Sequence, residues 1–254
     1  MTLKSKLQKN QLTIGSWVTI GHPSIIEIMA TAGFEWLTID MEHSSIDFEK
    51  AQDLIASIQA NKISALVRVG KNDDAIIKRV LDIGADGVIV PMVNSKDDAI
   101  KAVENVKYPP FGKRGVGLYR AQKYGIGFEE YTRWLKDWAI IIAQIEHIDA
   151  VNNLKDILSV EGIDGIIVGP YDLSGSLGMP GKFESPEVKN ALKNVVKTCK
   201  KYKKSVGFHV IMPDYLRLKE KIDEGYTFLG FSLDFYFLGE KARNEMKKLK
   251  GTIK

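Results

Sequence analysis

Short apolar runs recur along the chain, and most of them are rich in Ile and Val. Runs of this length without polar alternation are typical of strands that are buried on both faces, as in a parallel sheet. The pattern predicts eight strands, over Leu12–Val18, Trp36–Asp40, Ala65–Val69, Gly87–Val90, Ile140–Glu146, Gly165–Val168, Val206–Val210 and Phe228–Leu233.

Segments with a helical period lie between these runs. In Ser24–Ala32, apolar residues recur at helical spacing and share one face. Gly33, Gly84 and Gly225 follow three such segments, at positions where glycine ends a helix in the left-handed conformation. The predicted helices are Ser24–Ala32, Asp47–Gln59, Ala75–Ile83, Asp97–Val106, Asp149–Val160 with Asp149 as its N-cap, Pro186–Tyr202, Tyr215–Asp223 and Leu238–Leu249.

Eight strands that each precede a helix predict an α/β fold of the (β/α)₈ TIM barrel type. The length of 254 residues is typical of one such barrel. A doubly wound open sheet is the alternative. Because no linker-like change in composition divides the chain, we expect a single domain over residues 1–254.

Composition and charge exclude several classes of protein. Hydrophobic residues make up 44% of the chain, which is enough for a full core. The net charge is only +4 with both signs interleaved, so we expect no nucleic-acid partner. Cys199 is the one cysteine, which rules out an internal disulfide. The start of the chain lacks a signal-peptide pattern and no run is long enough to span a bilayer, so we expect a cytoplasmic protein without membrane contact.

Two apolar runs end in a carboxylate within one β-α-β unit. Glu146 ends the run that begins at Ile140, and Asp172 follows the run Gly165–Val168. Ligands bind at the carboxyl ends of strands in parallel α/β folds. Two oxygen ligands there suit a hard divalent cation such as Mg²⁺ or Mn²⁺. The alternative is that both acids only cap helices or turns.

Other strand ends add further candidates for chemistry. His43 follows the second strand and could accept a proton near neutral pH, although a histidine that caps a helix is the alternative. Arg68 ends the third strand and needs an anionic partner: a substrate carboxylate or enolate, or else Glu42 or Asp40. The remaining polar or aromatic positions at strand ends are Trp17, Thr19, His22, Met92, Gln144, Gly169, His209, Ser232 and Asp234.

Several catalytic signatures are absent from the sequence. No lysine lies on the inner strand runs, so a Schiff-base aldolase has no obvious nucleophile. No Gly-x-Ser-x-Gly elbow or P-loop occurs. One base, one arginine and two metal-binding acids instead suit the stabilisation of an enolate.

The chain resembles the HpcH/HpaI family of metal-dependent pyruvate aldolases, which includes 4-hydroxy-2-oxoheptanedioate and 2-keto-3-deoxy-sugar-acid aldolases. The resemblance spans nearly the whole chain in order, in short motifs that are specific together. These motifs are Ile39-Asp-Met-Glu-His43, Val67-Arg68, Val80-Leu-Asp-Ile-Gly-Ala85, Tyr108-Pro-Pro110, Arg114-Gly-Val-Gly117, Gln144-Ile-Glu146 and Gly169-Pro-Tyr-Asp-Leu-Ser174.

The resemblance implies a barrel whose last helix is exchanged between subunits of a homo-oligomer, a trimer or more commonly a hexamer. It implies that the metal is Mg²⁺, Mn²⁺ or Co²⁺ and that pyruvate chelates it. The implied roles are metal ligation by Glu146 and Asp172, pyruvate binding by Gln144 and the backbone around Gly169, Tyr171 and Asp172, enolate stabilisation by Arg68, base catalysis by His43, and support of that base by Asp82 across a subunit interface. We add Trp17, at the end of the first strand, as a substrate-binding candidate.

The loop 108–117 is predicted to be a turn-rich connector, and a phosphate-binding role for its glycines is the weaker interpretation. It follows a helix and precedes a strand, which places it on the face opposite the chemistry. Beyond it, Arg120 and Lys123 fit either an anionic end of the substrate or a subunit interface.

We therefore predict a lyase that reversibly cleaves a 4-hydroxy-2-oxo acid into pyruvate and an aldehyde. One alternative is a CoA-ester lyase of the citrate-lyase β-subunit type, which shares the barrel and metal site but needs a channel for CoA. The other is a non-catalytic barrel that binds a metabolite.

Overall fold

Eight parallel strands close into a barrel in the computed structural model, which describes residues 1–252. Each strand pairs with the next in the chain, and the eighth pairs with the first. The (β/α)₈ prediction is therefore confirmed and the open sheet is excluded. The strands are β1 Thr13–Val18, β2 Trp36–Asp40, β3 Ser64–Arg68, β4 Gly87–Val90, β5 Ile140–Ile145, β6 Gly165–Val168, β7 Ser205–Val210 and β8 Phe228–Leu233.

Helices follow the strands around the outside of the barrel. Most begin at a predicted type of cap: Asp47, for example, accepts a hydrogen bond from the Lys50 amide. Gly33, Gly84 and Gly225 have φ of 83°, 104° and 100°, which is the left-handed conformation expected of them. The helices are α1 Leu3–Gln8, α2 Pro23–Ala30, α3 Phe48–Ala60, α4 Asp74–Asp82, α5 Lys96–Val106, α6 Phe128–Asp137, α7 Ile148–Asn152, α8 Leu154–Leu158, α9 Pro170–Ser176, α10 Pro186–Tyr202, α11 Tyr215–Asp223 and α12 Asp234–Thr252.

Helix α1 closes the amino-terminal end of the barrel. Leu3 and Leu7 are buried among side chains of the barrel interior such as Trp36. The ammonium of Lys4 lies in this end and donates to the Ala139 carbonyl at 2.8 Å and to Asp164 at 2.7 Å. The barrel interior is therefore a packed core that α1 covers at its amino-terminal end. The barrel is open at the other end, where the strands have their carboxyl ends.

The structure corrects some sequence-based boundaries. The segment predicted as one helix over residues 149–160 contains two short helices, α7 and α8, because the helix is interrupted at Asn153. The cap of α7 is His147, whose ring accepts a hydrogen bond from the amide of Asp149, the residue predicted to be the cap. Helices α1, α6 and α9 were not predicted, and α12 extends beyond the predicted Leu238–Leu249 at both ends.

Helix α12 leaves the barrel with little burial. Asp234 is its one buried residue, whereas Leu238, Met246 and Leu249 are exposed. Exchange of this helix between subunits remains a prediction, as does a single domain over residues 1–254, of which the last two lie outside the described residues. No helix in the described part of the chain is long and apolar enough to cross a membrane.

Candidate active site

Glu146 is a buried acid at the carboxyl end of the barrel, directly after β5. Its side chain is buried, and its two oxygens accept hydrogen bonds from the Met92 amide at 2.7 Å and from the amide nitrogen of Gln144. Burial raises the pKa of Glu146, and the negative charge of nearby Asp172 acts in the same direction against those hydrogen bonds. Glu146 is therefore a fixed carboxylate whose charge a cation would stabilise.

The β6 end comes close to Glu146 because residue 169 is a glycine. A Cβ at Gly169 would lie 3.0 Å from the Glu146 Cβ and 3.1 Å from its Oε2. Helix α9 starts here with Pro170 at its first position, and its first turn contains Tyr171 and Asp172. The first-turn amides of a helix have no partner within the helix, so they are available to an anion. Gly169 thus packs on Glu146, and Asp172 is close enough for its charge to raise the pKa of Glu146.

Glu146 and Asp172 are the residues that could hold a divalent cation. Within residues 1–252, no three His, Cys, Asp or Glu side chains are arranged as a metal-binding cluster. Two carboxylates with open positions around them fit Mg²⁺ or Mn²⁺, which commonly keep water and substrate oxygens as ligands. The cradle at Gly169 and the raised pKa of Glu146 are both compatible with such an ion.

Arg68 is held by acids of β2 on the other side of the site. Its Nε and Nη2 donate to the two oxygens of Asp40 at 3.0 and 2.6 Å, and its Nε lies 3.3 Å from Glu42 Oε2. Both alternative protein partners of Arg68 are therefore engaged. Burial alone would raise the pKa of Asp40, but the hydrogen bonds and charge of Arg68 outweigh it and hold that pKa below its ordinary value.

His43 projects from the site toward solvent. Its side chain is 67% exposed, and its Nε2 lies 3.9 Å from Glu42 Oε2. The amides of Glu42 and His43 both donate to Asp40 Oδ1 at 3.1 Å, which fixes the turn after β2. His43 is thus free to meet a substrate while its backbone is anchored to the same carboxylate that holds Arg68.

Trp17 and His209 form a layer beneath Arg68. Their rings stack with centroids 4.4 Å apart, and the Arg68 guanidinium lies 5.8 Å from the centroid of the Trp17 ring. Burial lowers the pKa of His209 to about 4, so its ring is neutral at physiological pH. Trp17 is buried in the barrel core beneath Arg68, and its role in substrate binding remains a prediction.

Asp82 lies elsewhere. It ends α4, whose next element is β4, so it is near the amino ends of the strands and away from His43 of its own chain. Arg114 donates to Asp82 Oδ1 at 2.5 Å, and a Cβ at Gly117 would lie 2.7 Å from Asp82 Oδ2. The loop 108–117 therefore packs on Asp82 on the face predicted for it, although α6 separates the loop from β5.

Other strand-end residues have structural partners. Asp234 is buried and accepts from the amides of Thr19 and Ile20 at 2.8 Å, which joins the end of β8 to the end of β1. Beyond the loop, Arg120 donates to the Ile83 carbonyl at 2.9 Å, and Lys123 pairs with Glu130 at 2.6 Å. The polar ring predicted from strand ends is therefore partly used to close the barrel.

The family model described as HpcH/HpaI aldolase/citrate lyase matches residues 13–238. The chain belongs to this family. A 2-keto-3-deoxy-L-rhamnonate aldolase of Escherichia coli O17:K52:H18 is 36% identical over 213 residues, or 83% of this chain and 79% of that protein. These similarities confirm the resemblance and support an enzyme of the lyase type.

Solved structures of other proteins match this chain over nearly its whole length. A family member from Burkholderia cenocepacia J2315 has a TM-score of 0.92 at 30% identity, with 98% of each chain covered. A citrate synthase, SbnG, has a TM-score of 0.85 at 27% identity, with 98% of each chain covered. The barrel is therefore shared by proteins whose names denote different reactions.

Two features of the HpcH/HpaI site were not recognised in the sequence. Burial raises the pKa of Glu42 to about 6, with the charge of Glu146 adding to the effect, so Glu42 is a third acid of the site and more than a partner for Arg68. Glu42 directly precedes His43 in the sequence, and this position could have identified it as a residue of the site. Met92 contributes only its amide from a left-handed backbone with φ of 52°, and side-chain chemistry gives no signal for that.

Proposed function

We propose that the chain is a divalent-metal-dependent aldolase that reversibly cleaves a 4-hydroxy-2-oxo acid into pyruvate and an aldehyde. The observation that carries the proposal is that the buried Glu146 and the exposed Asp172 lie at the same barrel mouth as the group Arg68, Glu42 and His43. A bound Mg²⁺, Mn²⁺ or Co²⁺ would polarise the 2-oxo group of the substrate.

The residues of the chain divide into a pyruvate-binding side and a proton-moving side. Gln144 and the first-turn amides at Tyr171 and Asp172 orient the 2-oxo acid beside Glu146, and Gly169 leaves room for it. Trp17 lies below as an apolar floor. The substrate is thereby held with its C3–C4 bond facing the other side of the mouth.

Bond cleavage begins at the exposed His43. Its neutral imidazole takes the proton of the C4 hydroxyl, directly or through a water, while the C3–C4 bond breaks and the aldehyde forms. The electron pair remains on the pyruvate unit as an enolate, whose charge Arg68 offsets. Protonation at C3 then yields pyruvate, and synthesis follows the same steps in reverse.

We also propose that Asp82 supports the His43 of a neighbouring subunit in a trimer or hexamer. Asp82 is far from its own site along the fold, but the loop 108–117 holds its carboxylate firmly through Arg114. An acid placed in this way at a subunit contact can raise the basicity of a histidine across it.

The first test follows pyruvate alone, since the aldehyde is not specified by the site. Incubation in D₂O with Mg²⁺ or Mn²⁺ is expected to remove the proton NMR signal of the pyruvate methyl group, because the site stabilises the enolate. Excess EDTA should stop the exchange. If no divalent ion tried supports exchange, the chain is not a pyruvate aldolase, and acyl-CoA thioesters become the substrates to test.

A second test addresses the proton-moving side. His43→Ala is expected to lower aldol turnover by about 10²- to 10⁴-fold, the range for loss of a general base, while the Kd for Mn²⁺ stays within about twofold. His147→Ala removes an imidazole from the start of α7 and serves as the matched control. Turnover of the His43 variant equal to that of the wild type would refute the assignment of the base.

The alternatives make distinct predictions. A CoA-ester lyase would cleave acyl-CoA substrates, whereas the proposed enzyme has no use for the nucleotide. A non-catalytic barrel would leave pyruvate unchanged in D₂O. The grouping of Arg68, His43, Glu146 and Asp172 at one mouth supports catalysis, because a scaffold does not require these four together.

A further inference from the structure

A cleft of about 830 Å³ lies between α10 and α11, over the outer face of β7. Cavities that hold small molecules measure about 300–1,000 Å³. At one end the cleft reaches Tyr171 and His209, which also border the candidate active site. The cleft itself runs outward between the two helices, so its body lies beside that site and not within it.

The floor of the cleft is apolar. Leu192, Phe208 and Tyr226 are buried side chains that line it. The hydroxyl of Tyr226 is itself enclosed, so an occupant of the cleft meets apolar surface at this residue.

The rim of the cleft is basic. Lys189, Lys193, Lys197 and Lys200 project from α10 at spacings of four, four and three, which places them along one edge of the helix. Lys189 pairs with Glu184, whereas the other three make no ion pair within residues 1–252. Lysines on a helix are often only a solvated face. Here the same edge borders a cavity that is lined by six basic side chains and only three acidic ones, Glu184, Glu220 and Glu224.

A further cation reaches over the floor. The Lys221 ammonium lies 4.8 Å from the centroid of the Phe208 ring and pairs with Glu224 at 2.7 Å. The side chain is only 20% exposed, so its charge acts inside the cleft. The cleft therefore combines an aromatic floor with an excess of positive charge.

We propose that this cleft binds a small amphipathic organic anion, with its apolar body on Phe208 and Leu192 and its carboxylate or phosphate toward the lysines of α10. This inference does not depend on the aldolase function. Binding is measured without metal or pyruvate, so its failure and the failure of the proposed reaction are separate results.

The probe is 1-naphthyl phosphate, titrated into the full chain by calorimetry. We expect saturable binding of one molecule per chain. Inorganic phosphate has the charge but no apolar body, and 1-naphthol has the apolar body but no charge. Both should bind at least about tenfold more weakly than 1-naphthyl phosphate. Absence of saturable heat, as when a second copy of the chain covers the cleft, would overturn the proposal, and so would equal binding of inorganic phosphate.

Variants locate the binding. Lys193→Glu with Lys197→Glu reverses two exposed rim charges and should weaken binding by about tenfold or more. Lys201→Glu makes the same change on an exposed position of the same helix outside the cleft, and should change the Kd by less than about twofold. Equal effects of the 193/197 and 201 variants would overturn the assignment.

Discussion

Glu146→Gln is expected to abolish binding of Mn²⁺ and to lower metal-dependent enolisation of pyruvate by about 10³-fold or more, because a neutral amide is a poor ligand for a hard cation. The glutamine oxygen can still accept from the Met92 amide, so the fold should persist. Burial already raises the pKa of Glu146, which means that its buried charge is unfavourable. Removal of that charge should therefore not lower the melting temperature.

Calorimetric titration of Mn²⁺ and the loss of the pyruvate methyl signal in D₂O measure the two effects. Glu27→Gln, at an exposed position in the middle of α2, makes the same chemical change away from the site and should behave as the wild type. An unchanged Mn²⁺ titration for the Glu146 variant would remove Glu146 from the ligand set and with it the core of the proposed mechanism.

Arg68→Ala should have the largest combined effect on activity and stability. Loss of the guanidinium removes a group that offsets the enolate charge, which typically lowers turnover by about 10²- to 10³-fold. It also leaves the buried carboxylate of Asp40 without its bidentate partner. Breaking a buried pair on one side costs about 3–5 kcal/mol of unfolding free energy. Arg68→Lys keeps the charge but loses the two-point contact, and should be intermediate.

The stability deficit of Arg68→Ala should depend on pH. In the wild type the pKa of Asp40 is lowered in the folded state, so the pair stabilises the protein above the unfolded pKa and loses that effect as the pH falls through the folded pKa. In the variant, burial is opposed only by the hydrogen bonds from the Glu42 and His43 amides, so Asp40 protonates more readily. The deficit should therefore be largest at neutral pH and smaller in acid.

Urea denaturation of both proteins at about pH 7 and about pH 5 measures this difference. The double variant Arg68→Ala, Asp40→Asn provides the control, since it removes the charge that the single variant leaves unpaired and should recover part of the stability. A deficit that grows toward acid pH would show that Asp40 is not the group responsible.

The barrel could be predicted from the sequence because its strands are buried on both faces, and such strands appear in the sequence as short apolar runs. Helix α1 could not, since its six residues are too few for a periodic signal and its stability comes from contacts such as Leu7 in the distant barrel interior. Asn153 interrupts a segment whose apolar spacing is continuous, so the break into α7 and α8 has no hydrophobic signature.

The site was predictable where a functional side chain follows its own strand. Glu146, Arg68 and His43 each follow an apolar run, and the structure places them at one barrel mouth. Asp234 follows the same rule but is used to join β8 to β1, a distinction that depends on the backbone amides near it. The role proposed for Asp82 could not be assigned by position, because α4 ends near the amino ends of the strands, away from His43 of the same chain.

The position of α1 at the amino-terminal end of the barrel has a consequence for biosynthesis. Helix α1 is synthesised before the strands that it contacts, yet the carbonyl of Leu7 accepts from the Ser205 hydroxyl at 2.9 Å and Lys4 pairs with Asp164. Leu3 and Leu7 thus stay without their partners while most of the barrel is made. The amino-terminal end of the barrel therefore stays uncovered until β7 has been synthesised.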